Sequence, residues 1–310
     1  MKDSLRSHFF WKYANGKYSL FEKPVDTLYN EINVIIKFSY VFFLFLMFTQ
    51  LSNKAYVLNE TMIDPLWPVV MLKDISPVYI ALVCQILLII GFTLLTFLHH
   101  NRFLRIFVFV LFFLYLAFMN SFGKINHAFH LILMMLFCFM LIPGKQSDNY
   151  KEKTILMFAA AQFFVLLAYT LTGLWKLFWG VVEFFTQEVS LFSPLAFRNI
   201  LVTQYQITNP TLLGSWFLEH YYMGYMFYVL VVLIEIFAVF AFFKSNLHKV
   251  WGILLMLMHL GIHYVLNVNM YPAIMVLGLL LILSPFQGRF NLRETIWSLP
   301  ILAQIKKLRS

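Results

Sequence analysis

The chain has 310 residues, of which 61% are hydrophobic and only 12% charged, with a formal net charge of +9. A mean hydropathy of +0.78 lies far outside the range of an ordinary soluble domain and calls for lipid as the solvent. The basic residues sit between apolar spans rather than clustered on one polar face, which excludes a nucleic-acid binder, and the long unbroken apolar runs exclude the alternating strands of a membrane β-barrel.

Residues 1–31 are polar and aromatic. They include Asp3, Glu22, Asp26 and Glu31, acids that a cleavable signal peptide lacks. Phe9, Phe10, Trp11, Tyr13 and Tyr18, interleaved with Lys12 and Lys17, read as an interfacial amphipathic anchor at the headgroups. A hydrocarbon core about 30 Å thick takes roughly 20 apolar residues per helix and leaves no water to satisfy an open backbone. Apolar runs then predict spans over 32–50, 76–98, 103–122, 127–142, 154–179, 221–243, 250–266 and 270–285. The fold class expected is all-α: a polytopic membrane bundle of about eight transmembrane helices over 32–286, with no large soluble domain. Only Asn267, Val268 and Asn269 separate the last two runs, so a re-entrant pair is the alternative there. The 180–220 segment mixes Glu183, Glu188, Arg198 and Asn209 with aromatics and is expected to cap a cavity, and 287–310 is a basic tail. Cys84 and Cys138 fall inside predicted spans and read as small apolar residues. Asn59-Glu60-Thr61 fits a glycosylation acceptor but carries little weight.

Alternate loops divide the 23 Lys and Arg residues very unequally, eighteen to one side and five to the other. The rich side holds both termini together with Arg102, Arg105, Lys145, Lys151, Lys153, Lys244 and Lys249. By the positive-inside rule both termini are cytoplasmic, and a multi-pass protein of a bacterial inner membrane is expected.

Ionisable groups at membrane depth are costly, so each invites a functional reading. His127 opens the fourth predicted span behind Asn126, Lys176 closes the fifth, and His259 and His263 lie four apart, on one face of the seventh. The topology puts all four at the outer end, where one pocket can hold them. The structural alternatives are a lysine that snorkels to the headgroups and histidines that serve packing. The His259/His263 spacing also suits a metal pair, yet the motif of a zinc hydrolase is missing, and no metal is expected. Glu235, midway along the sixth span, must be protonated or paired, and a hydrogen bond between helices is its commonest explanation.

The order of these motifs carries a resemblance. Pro24-x-Asp26 before the first span, Asn126-His127 opening a span, Tyr169-x3-Gly173-x2-Lys176-Leu177, then Leu191-Phe192-Ser193-Pro194, an acid in the next span and His259 before the last one together resemble vitamin K-dependent γ-glutamyl carboxylase. They resemble equally its bacterial relatives, the horizontally transferred transmembrane (HTTM) domain family, over about residues 22–286. The resemblance implies an enzyme that oxidises a reduced naphthoquinone, menaquinol or vitamin K hydroquinone, with oxygen. The strong base so formed removes a γ-proton from a peptide glutamate, to which carbon dioxide adds. It implies Lys176 as the base toward the hydroquinone, a role an amine in apolar surroundings suits, and His127 as a hydrogen-bonding catalytic partner. His259, Asn126, Trp175 and His263 would line the quinone site, with Trp179, Phe184 and Phe192 adding aromatic surface. A protein or peptide substrate on the non-cytoplasmic side is implied as well. Two departures bear on the substrate: the chain ends about 25 residues after its last span, and Phe178-Trp179-Gly180 stand where the animal enzyme has acidic residues. The reading from another class is a non-catalytic module of the same fold that binds lipid or quinone or scaffolds a partner. Transport would want matching broken helices in two halves, and no such symmetry is evident.

Overall fold

The computed structural model describes residues 23–52, 62, 65–122 and 127–286. The aromatic anchor, the Asn59-Glu60-Thr61 triplet, Asn126 and the 287–310 tail lie outside the described residues. Among the described residues every regular element is helical: α1 Val25–Ser52, α2 Pro77–Leu98, α3 Arg102–Met119, α4 His130–Met140, α5 Tyr150–Thr186, α6 Leu195–Tyr205, α7 Leu212–Glu219, α8 Tyr221–Ile236, α9 Ala238–Phe242, α10 His248–Leu266 and α11 Tyr271–Leu277. Short 3-10 turns stand at Trp67–Leu72, His127–Phe129 and Ser245–Leu247, and α11 runs on into a π-helical turn at Gly278–Ile282.

Among the described residues five helices are long and apolar enough to cross a membrane, or six if α7 and α8, bent by 108° at His220, count as one broken span. The chain is therefore an all-α integral membrane protein. Helices α4 and Tyr271–Ile282 are apolar but shorter. Apolar side chains point outward as well as inward: on α1, Val34, Phe38, Val41, Phe45 and Phe48 are exposed at helical spacing while Ile32, Tyr40, Phe43 and Met47 are buried. In water such a stripe would be a liability; in a membrane it is the lipid-facing side.

The chain divides into two compact units, Lys23–Ala161 and the residues from Gln162 onward. In the first, aromatic side chains fill the interior, with Phe43–Phe92 and Phe92–Phe112 centroids 5.7 and 6.4 Å apart. Gln85 Nε2 donates to the Tyr115 hydroxyl at 2.8 Å, joining α2 to α3. Arg105, 3% exposed, closes the unit's polar end. Its guanidinium donates to the carbonyls of His99 and Ile142, and to that of Pro143 at 3.0 Å. These oxygens sit just past the C-termini of α2 and α4, where carbonyls lack helical partners and the helix dipole is negative. A cation there finds counter-charge without a carboxylate. His99 accompanies it, its Nε2 2.8 Å from Asn33 Oδ1, and His100 Nδ1 lies 2.7 Å from the Tyr150 hydroxyl. Burial, reinforced by His100, Lys37, Arg105 and Lys145, pushes the His99 imidazole down to about 3, and burial lowers His100 as well. Cys84 and Cys138 are free thiols.

In the second unit the end of α10 is set by Asn267, which adopts a left-handed conformation (φ 55°) and donates its N–H to the His263 carbonyl at 3.1 Å. The carbonyls this frees are taken by the 180–220 segment: Tyr205 Oη donates to Val265 O at 2.5 Å, Thr211 Oγ1 to the same oxygen at 3.2 Å, and Thr208 Oγ1 to Leu266 O at 3.3 Å. Gly214 makes room, since a Cβ there would stand 1.5 Å from Tyr205 Oη. The 180–220 segment thus begins as the last turns of α5, to Thr186, and goes on as two short helices, α6 and α7, fastened by hydroxyls to the last turn of α10.

Candidate functional site

One face of α5 carries Thr170, Gly173 and Lys176 at helical spacing, and this face meets α8. Gly173 sets the approach, because a Cβ at that position would lie 2.7 Å from the Ile236 backbone nitrogen and 2.9 Å from Glu235 Cβ. Thr170 splices the break at Phe237, donating to Glu235 O at 3.2 Å and accepting from the Val239 amide at 2.9 Å. Trp251 Nε1 donates to Ile234 O at 3.1 Å, so the last carbonyls of α8 are satisfied from two neighbouring helices.

This packing brings Lys176 Nζ to both carboxylate oxygens of Glu235, at 2.8 and 2.7 Å. The carboxylate is 4% exposed, and the lysine side chain is about a third exposed. An unpaired carboxylate at this depth would carry a desolvation cost of several kcal/mol, roughly, and the ammonium offsets it. Close by, Tyr169 Oη stands 2.5 Å from His259 Nε2, joining α5 to α10. His259 is 6% exposed, and its Nδ1 has no partner among the described residues. Tyr169, Lys176, Glu235 and His259 thus gather an acid, a base, a phenol and an imidazole within one unit, all of them able to exchange protons.

Two cavities flank the ion pair. One, of about 430 Å³, is the more polar of the two, with Lys176, Glu183, Gln187, Ser190 and Asn199 in its wall beside Trp175 and Trp179. The other, of about 580 Å³, is walled by apolar side chains of α6, α7, α8 and α10, among them Phe197, Phe227, Leu257 and Ile262. Lys176, Ile200 and Tyr228 belong to both walls. A molecule with a polar head and an extended apolar part matches a polar chamber and an apolar one that share a wall.

The residues singled out in the sequence fall as follows. Lys176 lies at the junction and Trp175 lines the polar cavity. His259 is buried beside the ion pair and lines neither cavity, whereas Met258, Gly261 and Ile262 of the same helix line the apolar one. His263, one turn on, has its own partners: Nδ1 is 3.2 Å from Val268 O and Nε2 3.2 Å from the Tyr271 hydroxyl. His127 belongs to the Lys23–Ala161 unit, is exposed, and has its Nδ1 3.3 Å from that of His130. Phe192, half-exposed, stacks edge-on against Phe184. Among the described residues no three His, Cys, Asp or Glu side chains come together as metal ligands. Tyr169, Glu183 and Tyr228 are the members the sequence reading gave no role. Tyr169 and Glu183 share the helical register of Lys176 on α5, and that register was the signal available.

Fold and site together define a helical membrane protein with a buried ion pair between a polar and an apolar cavity. Set against known proteins, the chain matches no family model, no curated protein and no solved structure.

Proposed function

We propose that the chain is a vitamin K carboxylase-like membrane enzyme of the HTTM type, in which a reduced naphthoquinone is oxidised by molecular oxygen at the Lys176–Glu235 pair and that oxidation is coupled to carboxylation or a related proton abstraction. The observation that carries the reading is the position of Lys176, paired with Glu235, where the polar and apolar cavities share a wall. A quinol has the matching shape: a flat, hydroxyl-bearing ring and a long apolar chain. With the chain in the apolar cavity, the ring hydroxyl reaches Lys176, where an ammonium donor and a carboxylate acceptor stand together. Trp175 and Trp179 supply flat surface for the ring. The polar cavity, with Glu183, Gln187 and Asn199, is the room for a second reactant, a peptide carried on the non-cytoplasmic side. His259, joined to Tyr169 beside the pair, is the further proton-exchanging group of the site.

The same reading takes eight spans, with α4 and Tyr271–Ile282 as the two short ones, both termini in the cytoplasm, and a bacterial inner membrane as the location. The loop-by-loop distribution of Lys and Arg supports it.

The test is consumption of reduced naphthoquinone by the purified protein in lipid. Lys176→Ala is expected to lower the rate at least a hundredfold, about 3 kcal/mol of barrier. A variant as fast as the wild type sinks the role of the pair. The second reading, a lipid- or quinone-binding module without turnover, is favoured by the complete neutralisation of Lys176 by Glu235. It predicts saturable binding of the quinone with no consumption in any variant.

A further inference from the structure

The Lys23–Ala161 unit carries a second concentration of charge, remote in sequence from Lys176 and independent of the chemistry proposed there. His99 and His100 stand between α2 and α3; Asn33, which holds His99, is one turn from Lys37, and the Arg105 guanidinium ties the His99 carbonyl to that of Pro143, two residues before Lys145. Lys37, Lys145 and Arg105 are all bases, and each disfavours charge on both imidazoles. Lys23 is paired with Glu31 at 2.6 Å and Lys151 with Asp26 at 2.5 Å, Lys153 reaches the Ser147 hydroxyl at 3.4 Å, and Lys73 precedes α2, at the opposite end of that helix from the two histidines. Lys37 and Lys145 are exposed and have no carboxylate partner among the described residues. Arg105 is already committed to three carbonyls and does not cancel them.

The setting of Lys37 says what the partner is. It lies one turn beyond Asn33, the residue that holds His99, so its Cα is about 6 Å further along α1. There it stands beside Val34, Phe38 and Val41, which are 65%, 53% and 42% exposed. A cation on a lipid-facing stripe has one inexpensive counter-charge within reach, the headgroup of an anionic lipid. At the start of α3, Phe103 and Phe107 are exposed in the same way, 84% and 51%. Bases are thus bordered by apolar helix surface, the two parts of a phospholipid's footprint.

We propose that Lys37 and Lys145, with the edge of His100, bind the phosphate of an anionic phospholipid whose acyl chains lie along the exposed apolar stripes of α1 and α3. A tetrahedral phosphate accepts several charge-assisted hydrogen bonds at once, which suits two ammonium groups and an imidazole edge. It also supplies the negative charge that the groups around the two histidines lack.

The experiment is native mass spectrometry and thermal denaturation of the full chain, released from nanodiscs containing phosphatidylglycerol or phosphatidylcholine. One phosphatidylglycerol per chain is expected to survive activation that strips phosphatidylcholine. Its apparent Kd is expected to rise at least tenfold in Lys37→Gln/Lys145→Gln and to stay unchanged in Lys249→Gln, a basic residue of the other unit. Both lysines are exposed, so the double variant folds. On the wild type alone, raising the salt from 0.1 to 1 M is expected to release the retained lipid, because an exposed ionic contact is screened. Equal retention of the two lipids, or phosphatidylglycerol held as tightly by the double variant, overturns the proposal. So does stabilisation by inorganic phosphate equal to that by the lipid, which assigns the bases to a soluble anion.

Discussion

Arg105 and Lys176 are both cations inside an apolar protein, one in each unit, and their counter-charges differ. Arg105 is held by three backbone carbonyls at the ends of two helices, groups that neither accept a proton permanently nor move away. Lys176 is held by one carboxylate, with a tyrosine–histidine pair nearby and a cavity on either side. The first arrangement can do nothing except hold helices together. The second can exchange protons and admit a ligand, and its polar groups are costly in the same way without serving as end-caps. Burial of charge therefore means architecture in one unit and, on the proposed function, chemistry in the other, and each half of that contrast can be broken separately.

The largest effect is expected at Arg105. Arg105→Met leaves three buried carbonyls without donors, at about 1–3 kcal/mol each. The expected result is loss of folded protein in detergent, read as monodisperse yield and Tm. Arg105→Lys keeps the charge but not the fork that reaches two helix ends, so its Tm is expected to lie between the two. A wild-type Tm for Arg105→Met ends the architectural reading.

Next comes the ion pair, where the contrast predicts a different pattern. Glu235→Leu strands the ammonium and is expected to cost about 3–5 kcal/mol, whereas Lys176→Met/Glu235→Leu restores an apolar contact and recovers most of the stability. Quinol turnover is expected to vanish in both. Recovered stability with lost function separates chemistry from packing. A double variant as unstable as the single one places the pair with Arg105 as a structural element.

Gly173→Ala tests the helix approach that makes the pair. The added Cβ meets backbone at 2.7 Å, so α5 and α8 must part, at about 1–3 kcal/mol. A lowered Tm with turnover reduced further than stability explains is the expected outcome. An unchanged Tm means the approach tolerates the shift.

These residues also show what the sequence made legible. The long spans, the Gly173-x2-Lys176 register and the anomaly of Glu235 could be read directly, because apolar run length, helical spacing and the cost of an intramembrane acid are local properties. Pairing of Lys176 with Glu235 could not, since they lie 59 positions apart with two short helices between them. Arg105 looked like one more positive-side residue, because its partners are carbonyls whose availability depends on where α2 and α4 stop. The bend at His220 and the break at Phe237 were invisible for the same reason: the hydroxyl that splices the break belongs to Thr170, on another helix. The short extent of α4 within the 127–142 run likewise reflects a 3-10 turn, which composition does not distinguish from helix.

The smallest effect is a pH dependence that His99 gives the architectural unit. The His99 ring is neutral in the folded protein, lowered to about 3 chiefly by burial, while an unfolded histidine titrates near 6.5. Above about 6.5 both states are unprotonated and His99 adds no slope. Between there and about 3 the unfolded chain binds the proton and the folded chain does not, so stability falls as the pH falls, by at most about 1.4 kcal/mol per pH unit. Carboxylates contribute below pH 5, so the informative quantity is the difference in Tm between the wild type and His99→Gln, whose amide keeps a donor for Asn33. That difference is expected to hold constant from pH 7.5 to about 6.5 and to shrink from there to pH 5. A constant difference means His99 is not the titrating group. If anionic lipid is bound beside it, the phosphate favours the imidazolium, and the wild-type slope is expected to flatten in phosphatidylglycerol but not in phosphatidylcholine, so the weakest of these effects also reports on the headgroup site.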